Sequence, residues 1–359
     1  MNFEKPPQSE QPEEKIEEVL PAKAEKTKTE NPAEKSYQEM EGLVGELAAR
    51  SRFERMSEGD KEFIVSSEGE KFGIRRIEDP KDPAVDKIYE LLKKRFDEDE
   101  LDTKETMIGA IENDYASYHV VEDKDGNILC HACTELLEVE SAQPRKRGQP
   151  KESVLFVGYI VTNNELRYQD PKTLKSSFMS QEIFQNVFRE AVDDAREKKL
   201  AIKGLVGESV DELEPLVNRF GAKRIYFEDE NGNVQEVEFT CPPLDWDSQT
   251  GEPRKEPTAE HLITRFMDGR QSFKKEELLA MVRSIYEENY VFPPEMLPSR
   301  KARKRNQEIV EGYYKKLEES LAQVKDGELF LMDYRERRRR RAELEAQGKQ
   351  IIEGEDESK

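Results

Sequence analysis

Cysteine is scarce in this chain, three in 359 residues. An odd and small number cannot build a disulfide framework and fits a reducing compartment. Long apolar runs are also missing. No segment approaches the ~20 residues of a membrane-spanning helix, and the opening thirty residues, rich in Glu, Lys and Pro, carry no apolar core of a secretory signal. A cytoplasmic protein without a membrane partner is therefore the expectation. An excess of positive charge is lacking as well: 58 Lys and Arg stand against 79 Asp and Glu, a net charge of -21. That balance opposes non-specific binding of nucleic acid by the core. Apolar residues reach only 35% while charged residues make up 38%, so part of the chain contributes to no core.

The apolar residues that are present fall into periodic blocks. Residues 1–35 are almost wholly Glu, Lys, Pro, Gln and Thr, a composition expected to stay disordered. Residues 36–69 read as a short helix, with Tyr37, Met40, Leu43, Val44 and Leu47 on one face, and a linker. The main domain is expected over 70–270. It opens with a strand at Phe72–Ile77, two helices (Val85–Phe96 and Thr106–Ile111) and a hairpin of Tyr118–Val121 with Ile128–Val139 about an Asp-Gly step. Val154–Val161 is a nearly unbroken β-branched and aromatic run, the pattern of a strand covered on both faces. Gly158 interrupts it, which suggests a bulge or a close approach to the backbone. A helix with Phe184, Val187, Phe188, Ala191, Val192 and Ala195 on one face and Ser180 as N-cap follows, then a strand at Leu200–Gly207 and a helix ending at Gly221. This is a β-α-β unit with a further helix. Strands at Arg224–Phe227, Val234–Thr240 and His261–Met267 come next. A helix packed on the domain fills 271–295, and 296–359 reads as a charged helical tail with a disordered end.

That order of elements, together with Asn218-Arg219-Phe220-Gly221-Ala222-Lys223-Arg224 at a helix-to-strand junction, resembles the GNAT (Gcn5-related N-acetyltransferase) superfamily over roughly residues 70 to 270. The resemblance implies an α/β fold whose mixed sheet splays between the central strand and the strand near Ile202. Acetyl-CoA or another acyl-CoA would enter the gap, its pantetheine pairing with backbone around Tyr159, Ile160, Val161 and Thr162. The family's glycine-rich pyrophosphate signature is absent. Aligned on Arg167, its glycine positions fall on Asp170 and Lys172, and Pro171 removes an amide donor. Cations and hydroxyls of Arg167, Lys172, Lys175, Ser176 and Ser177 are then the candidates for holding phosphate. The tyrosine many members use as general acid is replaced by Val217. Glu208 and Ser209, at the end of the second strand of the unit, are the candidate base and hydrogen-bond partner, with Tyr159 as a further candidate. Against this, Ser209 is placed to cap the next helix, Glu208 to be simply solvated and Tyr159 to be core. In the loop before the last strand Asp245, Trp246 and Asp247 are candidates for receiving a cationic amine, although Trp246 also suits an apolar hollow and the aspartates local turn bonds.

No metal is expected. Cys130-His131-Ala132-Cys133 looks like half a zinc site, but in a strand the two thiols point to opposite faces. Asp245, Asp247, Gln249 and Glu256 have a calcium-loop spacing, but Thr250 stands where the turn needs glycine. The run Arg335–Arg341, six arginines and a glutamate, is the stretch with the charge to touch a polyanion; paired with Glu343 and Glu345 it is an ordinary solvated helix. The reading is an acyl-CoA-dependent N-acyltransferase with an unassigned acceptor. The alternative is a non-catalytic domain of the same fold that binds partners through its charged ends.

Overall fold

The middle of the molecule is a pair of parallel strands in an otherwise mostly antiparallel sheet. The computed structural model describes residues 31–96, 101–140, 149–163, 176–209 and 220–353, the side chains of 176–178 excepted. Within these residues lie β1 (Glu54–Glu58), β2 (Lys61–Val65), β3 (Lys71–Ile77), β4 (Ser117–Glu122), β5 (Ile128–Val139), β6 (Lys151–Thr162), β7 (Leu200–Ser209), β8 (Lys223–Glu228), β9 (Val234–Glu236), β10 (Glu238–Cys241), β11 (Thr258–Phe266), β12 (Ser272–Lys274), β13 (Glu328–Met332) and β14 (Ile351–Ile352). They form one sheet in the order β1-β2-β3-β4-β5-β6-β7-β11-β8-β13-β12, with β10 on β11, β9 on β8 and β14 on β9. The central parallel pair is β6 with β7, joined by helix α4 (Ser176–Lys198); β14 also runs parallel to β9 at the margin of the sheet. The remaining helices are α1 (Pro32–Arg50), α2 (Pro83–Leu92), α3 (Lys104–Glu112), α5 (Lys275–Ile285), α6 (Arg300–Ser320) and α7 (Tyr334–Glu345). The order strand, two helices, hairpin, central strand, helix, parallel strand is therefore present as the GNAT resemblance implies.

One face of the sheet is covered by α1 and α4, whose Met40, Leu43, Ile183 and Phe188 pack on Leu155 and Ile202. The other face carries α2 and α3 over β4 to β6, and α5 and α6 over the strands that follow. The two short helices begin where their capping residues say they should: Asp82 accepts from the amide of Ala84 and Thr103 from that of Thr106. Among the described residues no helix is long and apolar enough to cross a membrane.

Three expectations about elements need correction. The segment read as a linker before Lys71 holds β1 and β2, a hairpin that extends the sheet on β3; only Ile64 of it is buried, so its apolar signal is weak. Ser180 is not the cap of α4, since the helix starts a turn earlier at Ser176 and Ser180 lies buried inside it. The third concerns the end of the chain. β13 sits inside the sheet between β8 and β12, with Leu329 and Leu331 buried. α7 follows behind a capping box of Asp333 and Glu336. Arg337 is buried there, donating to the Tyr226 hydroxyl at 3.0 Å and pairing with Glu353. Arg339 pairs with Glu343 as the spacing suggests, whereas Arg341 reaches Glu353 instead of Glu345.

Candidate active site

The site begins where the parallel pairing stops. β6 and β7 run in register from Val154 opposite Gly204 to Val157 opposite Gly207 and no further, although β6 continues to Thr162 and β7 to Ser209. On its other edge β6 stays paired with β5, but the register shifts: Cys133 faces Tyr159 and Thr134 faces Val157, leaving Gly158 unopposed. The bulge expected at Gly158 is there, and it bends β6 away from β7. Gly207 makes the last paired rung possible, because a β-carbon there would lie 3.0 Å from the Val157 carbonyl oxygen. Past that rung, among the described residues, no strand takes up the hydrogen-bonding edge of Gly158–Thr162. A cleft of about 1400 Å³ opens at the split.

Glu208 stands on the β7 side of the split, one residue beyond the last rung. Its carboxylate accepts from the Tyr290 hydroxyl at 3.1 and 3.2 Å, and the Cys241 thiol lies 3.6 Å from Oε2 and 2.8 Å from Tyr290. Glu260 of β11 completes the group: a carboxylate oxygen of Glu208, the sulfur of Cys241 and a carboxylate oxygen of Glu260 all fall within 4.8 Å of one another. Burial, and then the charge of Glu260, pushes the Glu208 carboxyl well above the usual range, against the bonds from Tyr290 and Cys241. Burial and the same acids push the Cys241 thiol up too, so it stays protonated and acts here as a hydrogen-bonding group rather than a thiolate. Tyr290 is delivered by a π-helical turn, Tyr286–Tyr290, that continues α5; such turns redirect side chains that a regular helix would place elsewhere.

The opposite wall is also acidic. The Tyr159 hydroxyl bonds to Asp102, donating to Oδ2 at 3.3 Å and accepting from the amide at 3.2 Å, and its ring meets Phe96 edge-on. Burial raises Asp102 to about 6, opposed by the Tyr159 bond. Glu135 of β5 lies beside them. Burial, then Asp102 and Glu288, raises it to about 8.

Of the residues singled out in the sequence, Tyr159, Ile160, Val161, Thr162, Glu208 and Ser209 line this cleft. Glu208 is not a solvated surface acid, since what accessibility it keeps opens into the cleft. Ser209 is buried and faces His261 across the sheet; the helix it was weighed as capping lies outside the described residues. Arg167, Lys172 and Lys175 lie outside them too. Ser176 and Ser177 form the first turn of α4. Asp245, Trp246 and Asp247 do not border the cleft. Asp247 binds its own turn through the amides of Gln249 and Thr250 and is held down to about 2 by them. Trp246 is buried against Phe292 and donates to the Pro243 carbonyl, and Asp245 sits near Arg254. Cys130 belongs to the apolar cluster under α4 and Cys133 to the one under α2 and α3, so the strand keeps them on different faces. Sequence reading missed Asp102, Glu135, Cys241, Glu260 and Tyr290. Glu135 had a visible signal, a charge that follows directly on the buried run Ile128–Thr134 of the same strand. The others come together only through the sheet order and the π-turn.

No family model matches the chain, and no curated protein matches it. Solved structures do. NAA60 of Arabidopsis thaliana in complex with acetyl-CoA is similar at 9% identity over 55% of this chain and 99% of that one, with a TM-score of 0.35. An acetyltransferase of the GNAT family from Streptococcus pneumoniae is similar at 14% identity over 54% and 99%, TM-score 0.29. A Trypanosoma brucei acetyltransferase is similar at 14% identity over 42% and 91%, TM-score 0.28. At this distance the order of the strands and the break in pairing at Val157, rather than these scores, make the fold GNAT-like.

Proposed function

We propose that the protein is an acyl-CoA-dependent N-acyltransferase, and the observation that carries this is the split of β6 from β7 beside Glu208. The exposed edge of Gly158–Thr162 supplies amide and carbonyl groups for an extended amide chain such as pantetheine, as an added strand would pair. That orientation sets the thioester at the mouth of the split, next to the β7 side. The neutral acceptor amine attacks the thioester carbon, the carbon–sulfur bond breaks with its electron pair leaving on the CoA thiolate, and the nitrogen of the new amide gives up its proton to the Glu208 carboxylate. A carboxyl raised by burial is matched to a base role near neutral pH, and the charge of an incoming ammonium offsets the cost of ionising it. Tyr290 and Cys241 hold the carboxylate in place. Phosphate binding falls to Arg167, Lys172 and Lys175 in place of a glycine loop.

A second reading, a binding domain without catalysis, is favoured by one feature, the Asp170-Pro171 step where the glycine loop is expected. Thiol release from acetyl-CoA with a panel of amines separates the two. The enzyme reading expects amine-dependent release that falls by about 10²–10⁴-fold in Glu208→Gln. Release absent with every amine, or unchanged in Glu208→Gln, leaves the binding domain.

A further inference from the structure

The residues that hold Glu208 lead directly into an apolar wall. Val291 follows Tyr290, whose hydroxyl bonds to the carboxylate, and Leu244 stands just beyond Cys241, whose thiol lies 3.6 Å from it. With Met296 they line the cleft, half-buried, on the cluster that includes Phe156 and Phe292. The wall is fixed from behind. Buried Asn306 of α6 donates to the Tyr290 carbonyl at 2.9 Å and accepts from the Phe292 amide at 3.1 Å, and the Phe292 ring meets Trp246 edge-on. It also lies on the Glu208 face of the sheet. Leu262, the cross-strand partner of Glu208, belongs to the same cluster, whereas Val157 and Ile160 of the split edge pack on the opposite one, under α1 and α4. A preformed, mostly apolar wall with a few convergent polar groups is the usual make-up of a small-molecule site.

We propose that the wall of Leu244, Val291 and Met296 seats the apolar body of the acceptor, so that the acceptor is an amphipathic amine, an alkyl or arylalkyl chain whose nitrogen reaches Glu208. Both ends of such a molecule find a partner. Its cationic head meets the Glu208 and Glu260 oxygens, which lie within 4.8 Å of each other, and its chain takes the place of water along the three half-buried side chains. A hydrophilic amine would leave the wall wet, and an uncharged apolar molecule would leave the acids without a cation. Room is sufficient: the cleft, about 1400 Å³, exceeds the roughly 300–1,000 Å³ of an ordinary ligand pocket, so an acceptor fits beside an extended pantetheine. The acyl chain is a poorer occupant, because the edge that would carry its thioester has its apolar neighbours on the other face. The acceptor's role in transfer rests on the acyltransferase reading, whereas the binding site itself does not require it.

The test is direct titration, without acyl-CoA, of n-hexylamine and of ethanolamine into the full-length protein, Leu244→Ser and Met296→Ser, with melting curves to show that each variant folds. The expected result is that n-hexylamine binds wild type at least tenfold more tightly than ethanolamine, and that each serine variant brings the two within about threefold. In Glu208→Gln the affinity for n-hexylamine should fall to that of 1-hexanol. Equal affinity of the two amines for wild type, no binding of n-hexylamine, or an undiminished preference in both serine variants overturns the site. So does a serine variant that changes the preferred acyl-CoA chain length while keeping the amine preference, since the wall would then belong to the acyl group. Should one serine variant fail to fold, the other decides. Selective n-hexylamine binding by a protein that releases no thiol from acetyl-CoA would keep the site and sink the acyltransferase reading. Thiol release as fast with ethanolamine as with n-hexylamine, and unchanged in Leu244→Ser, would do the reverse.

Discussion

The hydroxyl of Tyr290 sits 3.1 and 3.2 Å from the two oxygens of Glu208, across 82 residues of sequence. One side chain comes from the end of a parallel strand and the other from a π-turn. Their meeting lowers the proton affinity of the proposed base against the larger effects of burial and Glu260, because a donor that bonds to the charged carboxylate favours it.

Tyr290→Phe removes that donor, so the Glu208 carboxyl should be pushed still higher. The base acts as carboxylate. The limb over which kcat/KM rises with pH should therefore move to more alkaline pH in the variant, with activity recovered when the pH is raised. A limb that stays in place, or moves to lower pH, would show that this hydroxyl does not tune the base.

Glu135 makes a prediction about stability with its own sign. Its folded pKa is raised to about 8, whereas the unfolded chain titrates near 4.3. Below pH 4 both states hold the proton and the residue is neutral to folding. As pH rises towards 8 only the unfolded state releases it, so the folded state is progressively disfavoured, by on the order of a few kcal/mol at most. Glu135→Gln should thus be more stable than wild type at pH 8 and close to it at pH 4.5, by thermal or urea unfolding. An equal gain at both pH values would remove the titration argument.

Gly204 tests the register of the sheet. A β-carbon there would lie 2.6 Å from the Arg265 carbonyl oxygen of β11, a backbone atom that cannot swing aside. Gly204→Ala should cost about 2 kcal/mol, and Gly109→Ala, in α3 with open space around it, should cost nothing or stabilise slightly. Similar behaviour of the two would argue against the β7–β11 pairing.

Arg337 and Arg338 distinguish a structural arginine helix from a polyanion-binding one. Arg337→Ala strips a donor from the buried Tyr226 hydroxyl and a partner from Glu353, an expected loss of about 2 kcal/mol. Arg338 is exposed, and its replacement by Ala should change stability by no more than ~0.5 kcal/mol. Equal, small effects would return α7 to the status of a solvated tail.

Most of the central unit was readable from local pattern. The run Val154–Val161 and the periodic face from Phe184 to Ala195 are long enough to be unambiguous, and Gly158 announced the bulge. Glu208 could be named because it follows directly on a strand whose end the resemblance places at the split. Its partners could not, since Cys241, Glu260 and Tyr290 arrive from three elements and no spacing in the chain links them to it. β13 was hidden for a different reason: five residues flanked by charge, with an alternation too short to outweigh the arginine-rich surroundings, become a strand only because β8 and β12 accept them.

The most direct test of the account is titration of acetyl-CoA into the protein by calorimetry. Saturable binding at micromolar concentration, near one per chain, weakened by salt as expected of side-chain rather than backbone phosphate contacts, is the predicted result. Absence of binding by acetyl-, succinyl- and longer acyl-CoA alike would contradict it and leave the split between β6 and β7 without its proposed occupant.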